Sequence, residues 1–212
     1  MNPARQNILN RIKKALQTAC PSPFSETETE TGTVFSAIAP SEYLAHFRLQ
    51  FEAVGGFFIQ VSDQKLAAYK LKELFDTKKW TALACWDSEL QNWLQTHQIP
   101  YRDQTVSLFD TQVGISSCRA LLARTGTIVV QADQNKGRGI SVVPPIHVVL
   151  ATKSQLLPDL SDYFETTNFA HTSMTCLITG ASRTADIEKT LVMGAHGPKE
   201  IYLIYIDEQE KL

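Results

Sequence analysis

The run Thr179-Gly180-Ala181-Ser182-Arg183-Thr184-Ala185-Asp186-Ile187-Glu188 carries the densest chemistry in the sequence. Its pattern predicts a strand entering a small, hydroxyl-rich turn and then a helix that begins near Thr184. Unpaired N–H groups at a helix start, together with the helix dipole, favour an anion there. Ser182 and Thr184 would add hydroxyl donors, and Arg183 a planar fork suited to carboxylate or phosphate. The same residues also read as ordinary capping, with Thr184 as N-cap and Asp186 and Glu188 in the first turn complementing the dipole. Those two acids would repel a bound anion, so spacing alone leaves ligand site and cap both open.

Three further segments set polar groups beside permissive backbone. In Thr125-Gly126-Thr127, between two apolar runs, Gly126 permits a positive φ and the threonines could present hydroxyls to a pocket; a plain turn is the simpler expectation. In Gly137-Arg138-Gly139 the glycines let the backbone approach a ligand beside Arg138, and Pro144-Pro145 stiffens the entry to a strand carrying Ile146-His147. His147 could face a cleft, although a lone histidine beside a strand is more often a hydrogen-bonded structural residue. His196, bracketed in Gly194-Ala195-His196-Gly197-Pro198, is the better functional candidate because it stands in a loop. The five histidines (His46, His97, His147, His171, His196) never fall at ligand spacing with a second histidine, so no metal site is expected.

The elements that must hold these residues alternate along the chain. Ser41 opens an expected helix with Leu44, Phe47, Phe51 and Val54 on one face, stopped by Gly55-Gly56. Phe57 to Val61 reads as a buried strand, Ser62-Asp63 as the cap of a helix through Phe75, and Trp80 to Trp86 as the next strand. Asp87 opens a helix carrying Leu90, Trp93 and Leu94. Ala120 to Ala123 and Thr127 to Gln131 flank a turn and predict a hairpin or tight strand–loop–strand. Ile146 to Ala151, Met174 to Thr179 and Ile201 to Ile206 read as strands, with a helix over Pro158 to Thr166 and another starting near Thr184. This alternation predicts an α/β fold with a mainly parallel sheet.

Composition narrows the function classes. The 212 residues are 43% hydrophobic and 20% charged, which is ordinary globular usage and argues against disorder. Twenty Lys+Arg against 22 Asp+Glu give a net charge of −2, so the basic footprint of a nucleic-acid-binding domain is missing. The best apolar stretch, Ile140 to Ala151, is cut by Pro144, Pro145 and His147, and no membrane span is expected. Cys20, Cys85, Cys118 and Cys176 form no C-x-x-C pair, so an iron–sulfur, zinc-ribbon or haem site within the chain is not expected. Free thiols in a reducing cytoplasm are the expectation. From Met1 to Ser25 there are four basic residues and no acid, with Ile8, Leu9, Ile12 and Leu16 at helical spacing. That pattern suits a helix packing on its own domain better than a transit peptide. Cys20 to Thr33 is a Pro/Ser/Thr/Glu tract that reads as a linker.

Taken in order, the basic amphipathic start, Ala123-Arg124-Thr125-Gly126-Thr127, Pro144-Pro145-Ile146-His147, Gly180 to Glu188 and His196-Gly197-Pro198 resemble the LUD-domain family of lactate-utilisation C proteins. The resemblance implies a three-layer α/β fold similar to the ribose-phosphate isomerase and CoA-transferase group: an N-terminal helix over 1–19, a linker over 20–33 and a LUD-type domain over 34–212. It implies a part in oxidising L-lactate to pyruvate beside an Fe–S subunit and a second redox subunit, with no cofactor in this chain. Its candidate ligand-binding residues are Arg124, Thr125, Gly126, Thr127, Arg138, His147, Gly180, Ser182, Arg183, Thr184, Asp186 and His196, for a small anionic ligand. The family commonly carries Glu before Thr-Gly-Thr, where this chain has Arg124, which could pair with Asp186, Glu188 or a bound carboxylate, or stand as an exposed turn residue. A stand-alone isomerase or acyl/CoA-transferring enzyme, and a non-catalytic module docking through the basic helix, are the alternatives.

Overall fold

The computed structural model describes residues 3–17, 35–132, 139–167, 172–184, 192–194 and 196–208. The chain divides into two units, one within residues 1–37 and one over 38–212. In the first, α1 (Pro3–Leu16) opens without an acid and closes on Lys13 and Lys14, where cations complement the helix dipole. Its apolar residues Ile8, Leu9, Ile12 and Leu16 are exposed. The expected linker lies outside the described residues.

The second unit is an α/β domain around a five-stranded sheet in which every neighbouring pair is parallel. The strands β1 (Phe57–Val61), β2 (Leu83–Cys85), β3 (Val113–Ser117), β6 (Ile146–Thr152) and β11 (Glu200–Ile206) run in the order β1-β11-β6-β3-β2. Strands covered on both faces read as continuous apolar runs, and all seven residues of β6 are buried. Ile146, Val148 and Leu150 of β6 with Tyr202, Ile204 and Ile206 of β11 meet α3 (Gln64–Lys78) and α4 (Ser88–Thr96) through Leu71, Leu90, Trp93 and Leu94.

The opposite face turns Val149, Ala151, Ile201, Leu203 and Tyr205 toward α2 (Tyr43–Ala53) and a second sheet. That sheet has the order β7-β4-β5-β8, built from β4 (Ala120–Leu122), β5 (Thr127–Gln131), β7 (Leu156–Leu157) and β8 (Thr175–Ile178). Phe47 and Phe51 of α2 are wholly buried and stacked at 5.5 Å, each worth about 2–3 kcal/mol in area removed from water. Tyr163 of α5 (Leu160–Thr166) packs on Ala120, Leu122 and Val129 over the outer face of the second sheet.

The α/β reading with a mainly parallel central sheet matches the structure, as does the hairpin: β4 and β5 pair antiparallel across residues 123–126. Asp63 and Asp87 cap α3 and α4, accepting from Leu66 N at 2.8 Å and from Glu89 N at 3.0 Å. Arg183–Thr184 form β9, paired antiparallel with Val192–Met193 of β10. The helix expected to start near Thr184 falls on residues 185–191, which lie outside the described residues.

Candidate functional site

The end of α2 gathers two of the sequence-predicted segments. Gly126, at φ +63°, lies so close that an added Cβ would stand 2.3 Å from the Phe51 backbone nitrogen. Gly180, at φ +85°, would place a Cβ 2.6 Å from the Val54 carbonyl oxygen. Only glycine combines that backbone conformation with that approach. Arg183 then donates from Nη2 to the same Val54 oxygen at 3.2 Å, satisfying a carbonyl that the end of a helix leaves free.

Between these anchors runs a chain of hydroxyls. Thr125 Oγ1 and Thr127 Oγ1 are 2.7 Å apart, and Thr127 Oγ1 and Thr179 Oγ1 are again 2.7 Å apart. Thr127 is buried while Thr125 and Thr179 are exposed, so the chain reaches the surface at both ends. Ser182 ties in the following loop: its N–H donates to Pro198 O at 2.9 Å, its carbonyl accepts from Gly194 N at 2.8 Å, and its Oγ accepts from His196 N at 3.3 Å. His196 itself is exposed.

Beside this framework lies a groove of about 470 Å³ bordered by the end of α2, the starts of β1 and β11, and β9. Ala53, Val54 and Ala181 contribute apolar lining. Three cations face it, Lys78, Arg183 and Lys199, and two carboxylates, Glu52 and Glu200. Both acids are engaged: Glu52 accepts from Arg48 Nε at 3.0 Å, and Glu200 from the Tyr202 hydroxyl at 2.5 Å. Among the described residues no carboxylate pairs with any of the three cations. Cations without carboxylate partners beside apolar side chains are the residue types that suit an organic anion.

Two sequence-predicted residues stand elsewhere. Arg124 Nε donates to Asp159, the cap of α5, and the acids at 186 and 188 that could also pair with it lie outside the described residues. His147 is wholly buried, with Nε2 2.9 Å from Ser116 Oγ and Nδ1 without a partner among the described residues. Burial pushes its pKa down to about 4, so it is neutral at physiological pH. Arg138 and Asp186 lie outside the described residues.

The groove's other two cations escaped the sequence reading. Lys78 ends a helix and Lys199 follows His-Gly-Pro, and they share one groove only because β1 pairs with β11, a long-range fact that local spacing does not carry. Among the described residues no group of three or more His, Cys, Asp or Glu could hold a metal ion, and no helix is long and apolar enough to cross a membrane.

Comparison with known proteins points one way. The family model described as LUD domain matches residues 4–206. Lactate utilization protein C of Macrococcus caseolyticus (strain JCSC5402) is 37% identical over 103 residues, 46% of this chain and 45% of that protein. Its namesake in Bacillus subtilis (strain 168) is 32% identical over 164 residues, 72% of this chain and 64% of that protein. The match thus spans less than half of the former relative's length and just under two thirds of the latter's. The crystal structure of a DUF162 family protein from Deinococcus radiodurans superposes with a TM-score of 0.59 at 18% identity, covering 80% of this chain and 99% of that one. At that identity the likeness speaks for the fold.

Proposed function

The chain belongs to the LUD-domain family, and from that premise we propose that it serves as a C-type subunit of a lactate-utilisation system, in which its groove binds an anionic ligand and other subunits move the electrons. The observation that carries the ligand half of this reading is the set of three cations, Lys78, Arg183 and Lys199, that border one apolar groove with no carboxylate partner among the described residues. Taking electrons from lactate requires an acceptor group. The scattered cysteines and the missing strand–G-x-G-x-x-G–helix fingerprint support a reading in which that acceptor belongs to partners, an Fe–S subunit and a second redox subunit, in the cytoplasm.

The enzyme alternative, acyl or CoA transfer on the same fold, is disfavoured by Arg124. A guanidinium offers donors only and no lone pair for attack, and here it is spent on Asp159. The test is reconstitution. Lactate-dependent dye reduction should be missing with the purified chain alone and appear when Fe–S and redox subunits from the same system are added. It should fall at least about tenfold when Arg183→Gln replaces the wild-type chain, the worth of one charge-assisted contact. Full activity of the partners without this chain would overturn the proposal.

A further inference from the structure

The groove has one wall that an anion alone does not use. Phe57 opens β1, the edge strand of the parallel sheet, and its ring stacks on Tyr202 of β11 with centroids 4.5 Å apart and planes 15° from parallel. Lys78 Nζ is 5.6 Å from the Phe57 centroid and 5.8 Å from the Tyr202 centroid. Being nearly equidistant from two stacked rings, the ammonium lies beside the stack and leaves the outer face of Phe57 uncovered. Phe57 is 44% exposed, at a strand position where a packed side chain would be expected. At the groove's other rim Gly55, at φ +86°, has nothing within 4 Å of where a Cβ would stand, so the space there is open.

We propose that this groove takes a phosphate ester that carries a planar ring, the nucleoside-phosphate class, with the ring stacked on the outer face of Phe57 and the phosphates among Lys78, Arg183 and Lys199. This deepens the anion-binding reading above and rests on it. A volume of about 470 Å³ is that of a site for a ligand much larger than a three-carbon acid. An aromatic face beside phosphate-binding cations is the usual pairing for such a ligand, because every base has a π-face to stack. Arg183 is tethered at Nη2 by Val54 O, which lowers the ordering cost of using its remaining donors.

Titration calorimetry with ADP, and with pyrophosphate as the ringless probe, tests the proposal. The wild-type chain should bind both, ADP more tightly. Phe57→Leu, which keeps the position apolar, should weaken ADP at least about fivefold and leave pyrophosphate unchanged. Lys199→Gln, at an exposed position that cannot disturb the core, should weaken both. ADP binding no tighter than pyrophosphate, or indifferent to Phe57→Leu, overturns the ring-stacking inference and leaves the anion site standing. Failure of both probes and of lactate to bind overturns the anion site and the inference with it.

Discussion

Arg124, at the β4–β5 turn, is tied to Asp159, the residue that caps α5. One carboxylate thus joins a hairpin to a helix: one oxygen accepts from the Leu160 N–H at 2.7 Å and the other from the guanidinium. Burial works to raise the Asp159 pKa, but the bonds from Arg124 and Leu160 outweigh it and hold the carboxyl below its ordinary value. A carboxylate depressed in the folded state stabilises above its unfolded pKa of about 4, and the gain disappears as pH falls through the folded value. We therefore expect Arg124→Ala to cost about 1 kcal/mol at pH 7, less at pH 3, and to leave ADP and pyrophosphate affinities unchanged. Urea unfolding at the two pH values measures the first part. A mutant with weakened anion binding and unaltered stability would return Arg124 to the ligand site.

His147 gives the domain an acid sensitivity of its own. Its pKa is pushed by burial from 6.5 to about 4, so the unfolded chain binds a proton at this site between those values while the folded chain does not. Stability present above about pH 6.5 is therefore lost as pH falls toward 4, by an amount on the order of 3 kcal/mol. His147→Gln removes the titrating group and keeps a polar partner for Ser116. The variant's unfolding free energy should change less than the wild type's between pH 7 and pH 4.5. Parallel pH profiles for the two proteins would show that the acid response arises elsewhere.

Two glycines with the same handedness of backbone separate conformational from steric cost. At Gly55 an alanine would meet no atom within 4 Å, so only the left-handed φ of +86° opposes it, about 1–2 kcal/mol. At Gly126 the new methyl would also strike Phe51 N at 2.3 Å and the Gln50 carbonyl carbon at 2.7 Å, both backbone atoms of α2 that cannot swing aside. Gly126→Ala should therefore lower the melting temperature several degrees more than Gly55→Ala. Equal shifts would mean that α2 yields to the turn and does not anchor it.

What the sequence could and could not foretell follows from the range of the interactions. Asp63 and Asp87 announce α3 and α4 because a cap is satisfied within three residues of itself. Strand β3 is silent in the pattern, since Gly114 and Ser116 fill its second face. Gly114 is small because Ile140 O would stand 2.3 Å from any Cβ there, and Ser116 is polar because its hydroxyl pairs with the buried His147 ring. The strand pairing of Arg183–Thr184 is silent in the pattern, because its partner at 192–193 is supplied from beyond the local window. The groove is least legible of all. Phe57 and Tyr202 stack only because strands 145 residues apart in sequence lie side by side in parallel register.

The cysteines can be sorted by the same physics. Burial, and next the nearby Asp87 charge, push the Cys85 thiol up to about 12 against a weaker opposing bond to the Asp87 carbonyl. Burial alone drives Cys118 upward, and Cys176, half-buried, upward as well. The thiolate is the reactive species, so a raised pKa and a closed environment both slow alkylation. At pH 8, iodoacetamide should leave Cys85 and Cys118 unmodified in the native chain over a period that fully labels a free thiol, and should label both in urea. Peptide mass mapping reads each site separately. A native-state adduct on Cys85 or Cys118 would mean that the core around β2 or the β3–β4 turn opens on the labelling timescale. If both stay protected, neither thiol is poised for exchange chemistry, and a redox part for this chain must be played through its contacts with partners and not through these sulfurs.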